Sequence, residues 1–139
     1  MIALKHEEKR KEIIDKYHSK CFFNNHIILN MKFSDKGSLN VTFFCKDIFQ
    51  GYDNIMHGGV LSALYDVAMV QCLFGHGIVA MTAKLNIRFK KSVDVNKDLI
   101  LKTKISNVIK DKFYSMKGTM YQDGNKITSA EAVFVKTEL

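Results

Sequence analysis

Residues 51–73 read Gly51-Tyr52-Asp53-Asn54-Ile55-Met56-His57-Gly58-Gly59-Val60-Leu61-Ser62-Ala63-Leu64-Tyr65-Asp66-Val67-Ala68-Met69-Val70-Gln71-Cys72-Leu73. Within them Leu61, Leu64, Tyr65, Ala68, Met69, Cys72 and Leu73 recur at the i, i+3, i+4 spacing of a helix pressed into a core. The start of that helix is unusual. His57 precedes two glycines where good helix formers are expected, and each glycine costs roughly 1 kcal/mol relative to alanine. A physical reason for such a choice is close approach of a ligand. The first turn of a helix has unpaired N–H groups and a partial positive charge. Without a Cβ at Gly58 and Gly59, an oxygen can reach them.

One acid lies on the same helix. Asp66 follows Gly59 by seven residues, so at about 100° per residue it returns to nearly the same face, roughly 10 Å along the axis. Ser62 shares that face. A carboxylate among Ala63, Leu64, Tyr65, Val67 and Ala68 is costly to bury without a use. The helix edge therefore offers amide donors at its tip and a carboxylate further along, a pairing suited to holding a carbonyl and attacking it.

The rest of the chain sets the frame. Its 139 residues suit one domain with a sizeable core. No run of about 18 apolar residues suggests a membrane span, and the first residues have no apolar signal region before their charges. Cys21, Cys45 and Cys72 are odd in number and form no Cys-x-x-Cys pair, which favours a reduced, cytoplasmic protein. The formal charge of +7 comes from lysines scattered through every segment. Two readings fit it: a solvated basic surface, or attraction of a phosphate-bearing small molecule. A nucleic-acid partner would want a basic face with aromatics interleaved, which no segment carries, and neither nucleic acid nor membrane is expected as a partner.

In chain order, residues 2–19 are predicted helical. Residues 21–25 are predicted as a turn, and 26–33 and 38–45 as a strand pair with Leu39, Val41 and Phe43 on one face. Residues 47–56 form a loop into the long helix, which ends at Gly75-His76-Gly77. Residues 79–90 alternate apolar and polar over twelve positions, predicting a strand with one buried and one polar face, Thr82 on the polar one. Strands over 98–109, 112–122 and 126–136 follow, the last two joined by a tight Asp123-Gly124-Asn125 turn. The simplest packing is an α+β domain, antiparallel hairpins around one buried helix.

The element order, His57-Gly58-Gly59 with Asp66 nine residues after the histidine, and Met81-Thr82-Ala83-Lys84-Leu85-Asn86-Ile87-Arg88-Phe89 resemble the hotdog-fold acyl-CoA thioesterases. The closer likeness is to the phenylacetate-pathway-like branch of the 4-hydroxybenzoyl-CoA thioesterase superfamily, over roughly residues 21–136. Cys21-Phe22 is also similar to the opening of some members. The resemblance implies an antiparallel sheet of about six strands wrapped around one long central helix, in a single domain over 1–139 with an N-terminal helix at 1–20. It further implies two chains with sheets edge to edge and active sites between them, as a homodimer or homotetramer.

The same resemblance assigns roles. Asp66 is the catalytic carboxylate, acting as general base on water or as nucleophile through an anhydride. The Gly58 N–H is the oxyanion donor, worth roughly 2.7–4 kcal/mol where charge develops. His57 fixes the helix start beside the thioester, and Thr82 positions the water, serving the Asp66 of the other chain. Gly59, Asn54, Arg88, Lys90 and Lys91 are candidate substrate contacts. The three cations suit coenzyme A phosphates, or equally a solvated basic edge.

Relatives often carry asparagine where this chain has Gly51, and Gln50 or Asn54 are the candidate substitutes. The second cysteine of the Cys-Phe-x-Cys opening is Asn24 here, and the usual Arg-Pro is Lys91-Ser92. Tyr52, Met69, Phe74, Phe113 and Tyr114 are candidates for shaping an acyl pocket. Neither a metal nor any cofactor beyond the substrate's coenzyme A is expected. The function implied is hydrolysis of an acyl-CoA to carboxylate and coenzyme A; the alternative is a non-catalytic acyl-CoA carrier or sensor.

Overall fold

The structure is a computed structural model that describes residues 2–138. Helix α1 (Ile2–Ile13) runs on into a wider π turn, Ile14–His18, and a short helix α2 (Phe22–His26) follows. Strands β1 (Asn30–Phe33) and β2 (Leu39–Phe44) precede the long helix α3 (Gly58–Gly75). Strands β3 (Ala80–Phe89), β4 (Asp98–Ile109), β5 (Phe113–Gln122) and β6 (Asn125–Lys136) complete the chain. The strands form one antiparallel sheet in the order β1-β2-β4-β5-β6-β3.

All seven residues of the predicted stripe on α3 are buried. Each contributes on the order of 1.5–3 kcal/mol by leaving water, the alanine less. This helix is also long and apolar enough to cross a membrane by composition, with a mean hydropathy of 1.4, but most of it is buried within this fold. The sheet wraps it closely. A Cβ on Gly118 of β5 would lie 2.8 Å from the Tyr65 ring, and Tyr65 instead extends to a 2.5 Å hydrogen bond between its hydroxyl and that of Thr128. At the far end of α3, a Cβ on Gly75 would fall 2.1 Å from Cζ of the buried Phe33. Gly75→Ala is therefore expected to cost about 1–3 kcal/mol by overpacking, read as a lower midpoint in thermal or urea unfolding.

Three local predictions are corrected. Residues 22–26 are helical rather than a turn, because Asn25 Nδ2 bonds the Ser19 and Cys21 carbonyls and the Asn25 and Ile27 amides close a turn. The first strand is correspondingly short, covering Asn30–Phe33 only. The third correction concerns β3, an edge strand whose apolar positions are largely open: Met81 is 58 % exposed and Phe89 49 %. A bulge at Ala83, between the pairs Thr82↔Phe134 and Lys84↔Val133, moves the alternation over by one residue. Thr82 thereby joins Leu85 and Ile87 on the face toward α3, opposite the buried Phe134, Ala132 and Ala130. The β5–β6 turn is as predicted: Asp123 (φ 52°) and Gly124 (φ 78°) supply the two positive φ angles of a two-residue hairpin.

Helix α1 buries none of its own residues and is held onto α3 by polar contacts. Arg10 Nη1 donates to Oε1 of the fully buried Gln71 at 2.9 Å. His6 Nδ1 meets the Gly75 carbonyl at 2.8 Å, while His76 Nε2 meets that of Gly37 at 2.9 Å. The two imidazole rings stand 4.5 Å apart. Burial, with His6 and Lys9 nearby, pulls the His76 pKa down against the opposing Gly37 hydrogen bond. A histidine that binds its proton less readily folded than unfolded stabilises the fold above its ordinary pKa, and that stability is lost as pH falls. We therefore expect a lower melting temperature at pH 5 than at pH 7.5, with a shallower dependence in His76→Asn.

Candidate active site

The chain reaches α3 through a pinned loop. His57 N–H donates to the Phe49 carbonyl at 2.9 Å and Met56 N–H to that of Val93 at 2.8 Å. Gln50 Oε1 accepts the Asn54 N–H at 2.9 Å, which holds Asn54 at its positive φ of 65°. A Cβ at Gly51 would lie 3.3 Å from Cα of His57. An asparagine at this position would therefore push on the start of the helix.

His57 is the N-cap of α3. Its backbone is extended, and its Nδ1 accepts the Gly59 N–H at 2.8 Å. That bond requires an unprotonated Nδ1, so in this tautomer Nε2 carries the proton. The His57 carbonyl takes the amides of Val60 (3.1 Å) and Leu61 (3.2 Å). Gly59 was predicted to offer its amide to substrate, but the histidine already occupies it. Gly58 is the exposed first residue of the helix, and its N–H has no acceptor among the described residues. Ser62, one turn on, donates its hydroxyl to the Gly58 carbonyl at 2.8 Å.

Beside Gly58 lies an open groove of about 260 Å³ lined by Leu61, Phe89, Lys90, Lys91 and Val93, among others. Backbone bonds from Lys90 and Lys91 to the Ile127 carbonyl hold its basic rim (3.0 and 3.2 Å). Arg88 does not join these lysines. It stands on the opposite face of the sheet with Asn86, Lys117 and Lys126. Phe89 was predicted only as a strand residue. Its place at the end of β3, where the strand leaves the sheet beside Gly58, became legible only with the fold.

Asp66 is half-buried on α3, two turns beyond Gly58. It accepts a hydrogen bond from Thr82 Oγ1 of the same chain, a contact the bulge in β3 makes possible. Thr82, predicted on the polar face, thus faces the helix instead. Eight residues at 1.5 Å put the start of α3 about 12 Å from Asp66. That is too far for both to act on one carbonyl, since reacting atoms must come within roughly 3–3.5 Å. The Gly58–Asp66 pairing expected along a single helix therefore fails within one chain. Among the candidate pocket aromatics and methionine, Met69, Phe74 and Tyr114 are sealed in the core, while Tyr52 is 85 % exposed. Among the described residues no three His, Cys, Asp or Glu side chains gather as metal ligands.

The Thioesterase superfamily model matches residues 53–115, a segment running from the loop before α3 through that helix to the start of β5. The PaaI protein of E. coli, from the phenylacetic acid degradation operon, superposes with a TM-score of 0.81 over 94 % of this chain and 95 % of its own, at 14 % identity. The chain has the hotdog fold of the thioesterase superfamily. A hypothetical thioesterase of Streptococcus pneumoniae, solved with coenzyme A, aligns at 18 % identity over 79 % of this hotdog chain and 89 % of its own, with a TM-score of 0.73. That protein was also solved with alanine replacing an aspartate and, separately, a threonine sixteen positions further on. By sequence, the hotdog chain is 29 % identical over 90 residues to the rat Acyl-coenzyme A thioesterase THEM4. The match covers 64 % of this chain and 39 % of the rat protein, so it spans about two-fifths of the relative's length.

Proposed function

We propose that the protein hydrolyses an acyl-CoA thioester to a carboxylate and free coenzyme A, at a site shared by two copies of the chain. The single observation that carries this reading is the unclaimed Gly58 N–H at the tip of α3, opening on a groove with a basic rim. An amide there, backed by the helix dipole, suits the oxygen of a thioester that becomes negative as water adds. The base of the reaction is Asp66. It takes a proton from the attacking water, and Thr82 orients its carboxylate. The tetrahedral intermediate then collapses, the C–S bond breaks, and the coenzyme A thiolate leaves and takes up a proton. A nucleophilic Asp66, forming an anhydride that water opens, uses the same groups.

The 12 Å gap within one chain is the reason for the second copy. The two α3 helices can run antiparallel, which brings Gly58 of one chain toward Asp66 of the other and leaves Ser62, midway, near the two-fold axis. The unpaired edge of β3, with Met81 and Phe89 exposed, suits the edge-to-edge pairing of two sheets that this requires. Support for coenzyme A as the ligand comes from the Streptococcus pneumoniae relative solved with it. The replaced aspartate and threonine of that protein have the same sixteen-residue separation as Asp66 and Thr82. Lys90 and Lys91 suit the phosphates; Arg88, on the other face, does not share their groove. We expect no resident cofactor and a cytoplasmic location, which three unpaired cysteines fit.

The test is a hydrolysis assay over a panel of aromatic and aliphatic acyl-CoAs, following release of the thiol. Turnover of at least one member is expected. Tight binding without turnover on any would favour the carrier or sensor instead.

A further inference from the structure

The sheet face turned away from α3 gathers lysines that are far apart in sequence. Following the pairing from edge to edge, one row takes a residue from every strand: Lys32, Asn40, Lys102, Thr119, Ser129 and Arg88. The next row places Lys104 opposite Lys117, then Glu131 and Asn86. Lys84 and Lys126 stand beside these rows, on shallow basins of about 370 and 540 Å³ that share Lys117 and Glu131. Glu131 is the one carboxylate in the two rows, and among the described residues none of these cations forms an ion pair.

Two lysines directly opposite each other weaken a strand pair, so Lys104 and Lys117 cost the fold stability that a neutral residue would restore. A second copy packed sheet to sheet would set this charge against itself. Charge complementarity instead asks for an anion. All but one of these cations are lysines, point charges suited to a diffuse anionic surface rather than to paired carboxylates read by arginine forks. No aromatic lies within the two rows, and the ring of Tyr121 beside them is covered by Lys102 Nζ, 5.5 Å from its centroid, so the rows offer no open stacking platform for single-stranded nucleic acid. Beyond the second row, Ile109, Phe113 and Val135 form an apolar row across three strands, and Ile109 and Phe113 are 49 and 38 % exposed. Cations beside exposed apolar side chains are what an interface of anionic lipid headgroups and acyl chains accepts.

We infer that this face is a docking surface for an anionic phospholipid bilayer. It departs from the expectation of no membrane partner, because the lysines that look dispersed along the chain are brought together only by strand register. The inference is independent of the hydrolysis reading, since none of Lys102, Lys104 and Lys117 lines the Gly58 groove.

The experiment is co-sedimentation of the full chain with vesicles of phosphatidylcholine alone, and of phosphatidylcholine with about one-third phosphatidylglycerol. Binding is expected to the anionic vesicles only, and to be lost on raising the salt from about 0.1 M toward 0.5 M. The triple variant Lys102→Gln, Lys104→Gln, Lys117→Gln is expected to bind at least about tenfold more weakly, with an unchanged or higher melting temperature that certifies its fold. No sedimentation with anionic vesicles, or equal sedimentation of the triple variant, would overturn the proposal. So would binding of an oligonucleotide or an acidic polypeptide that displaces the vesicles and is lost in the same variant.

Discussion

Gly58→Pro is expected to lower kcat about 10²–10³-fold, the scale of losing one oxyanion donor, without loss of thermal stability. Proline suits the first position of a helix, where its missing N–H would have no partner within the helix. The residue before it must be extended, and His57 already is, at φ −63° and ψ 129°. There is room as well, since the nearest atom to a Cβ at Gly58 is Phe89 Cζ at 3.9 Å. The substitution therefore removes a single proton donor and leaves α3 in place. A well-folded Gly58→Pro variant with wild-type turnover would remove the amide from the mechanism.

Replacing Asp66 with alanine should cost about 10²–10⁴ in turnover, the range for a positioned general base. Thr82→Ala is expected to cost less, because it orients the carboxylate and transfers no proton itself. The sharper experiment mixes the two inactive chains. If Gly58 of one copy works with Asp66 of another, a mixed dimer of Gly58→Pro and Asp66→Ala holds one intact site and one doubly damaged site. Co-refolding equal amounts makes half of the dimers mixed, so about one quarter of wild-type activity should return. If both groups act within one chain, every site in the mixture is damaged and nothing returns. The assay thus separates a failure of the shared-site geometry from a failure of the hydrolysis reading, which full activity in Asp66→Ala would end.

The fold was legible wherever hydrophobic period and local chemistry agreed. The α3 stripe, the extents of β4 and β5 and the Asp123-Gly124 turn each came through to within a residue or so, because each is a local signal reinforced by burial. Residues 22–26 were misread because side-chain hydrogen bonds from Asn25 close a turn that carries no periodic pattern. The β3 alternation was real, but the bulge at Ala83 has no signature in residue type. It reversed the assignment of faces before it in the strand, and Thr82 went with them. Met69, Phe74 and Tyr114 failed as pocket residues for a related reason. An apolar side chain on a helix or strand looks the same whether it lines a cavity or fills a core.

The sequence by itself determined that a glycine-led helix with one acid lies at the centre of an antiparallel sheet, since period and spacing are properties of the chain taken one segment at a time. Only the tertiary structure decided which amides remain free. His57 claims the Gly59 N–H and leaves that of Gly58, a choice made by the rotamer and cap geometry of a single side chain. It also decided that Thr82 reaches Asp66, that Lys90 and Lys91 part company with Arg88, and that dispersed lysines share one face. Each of these depends on register and on strand order, which join residues distant in sequence and leave no trace in local pattern.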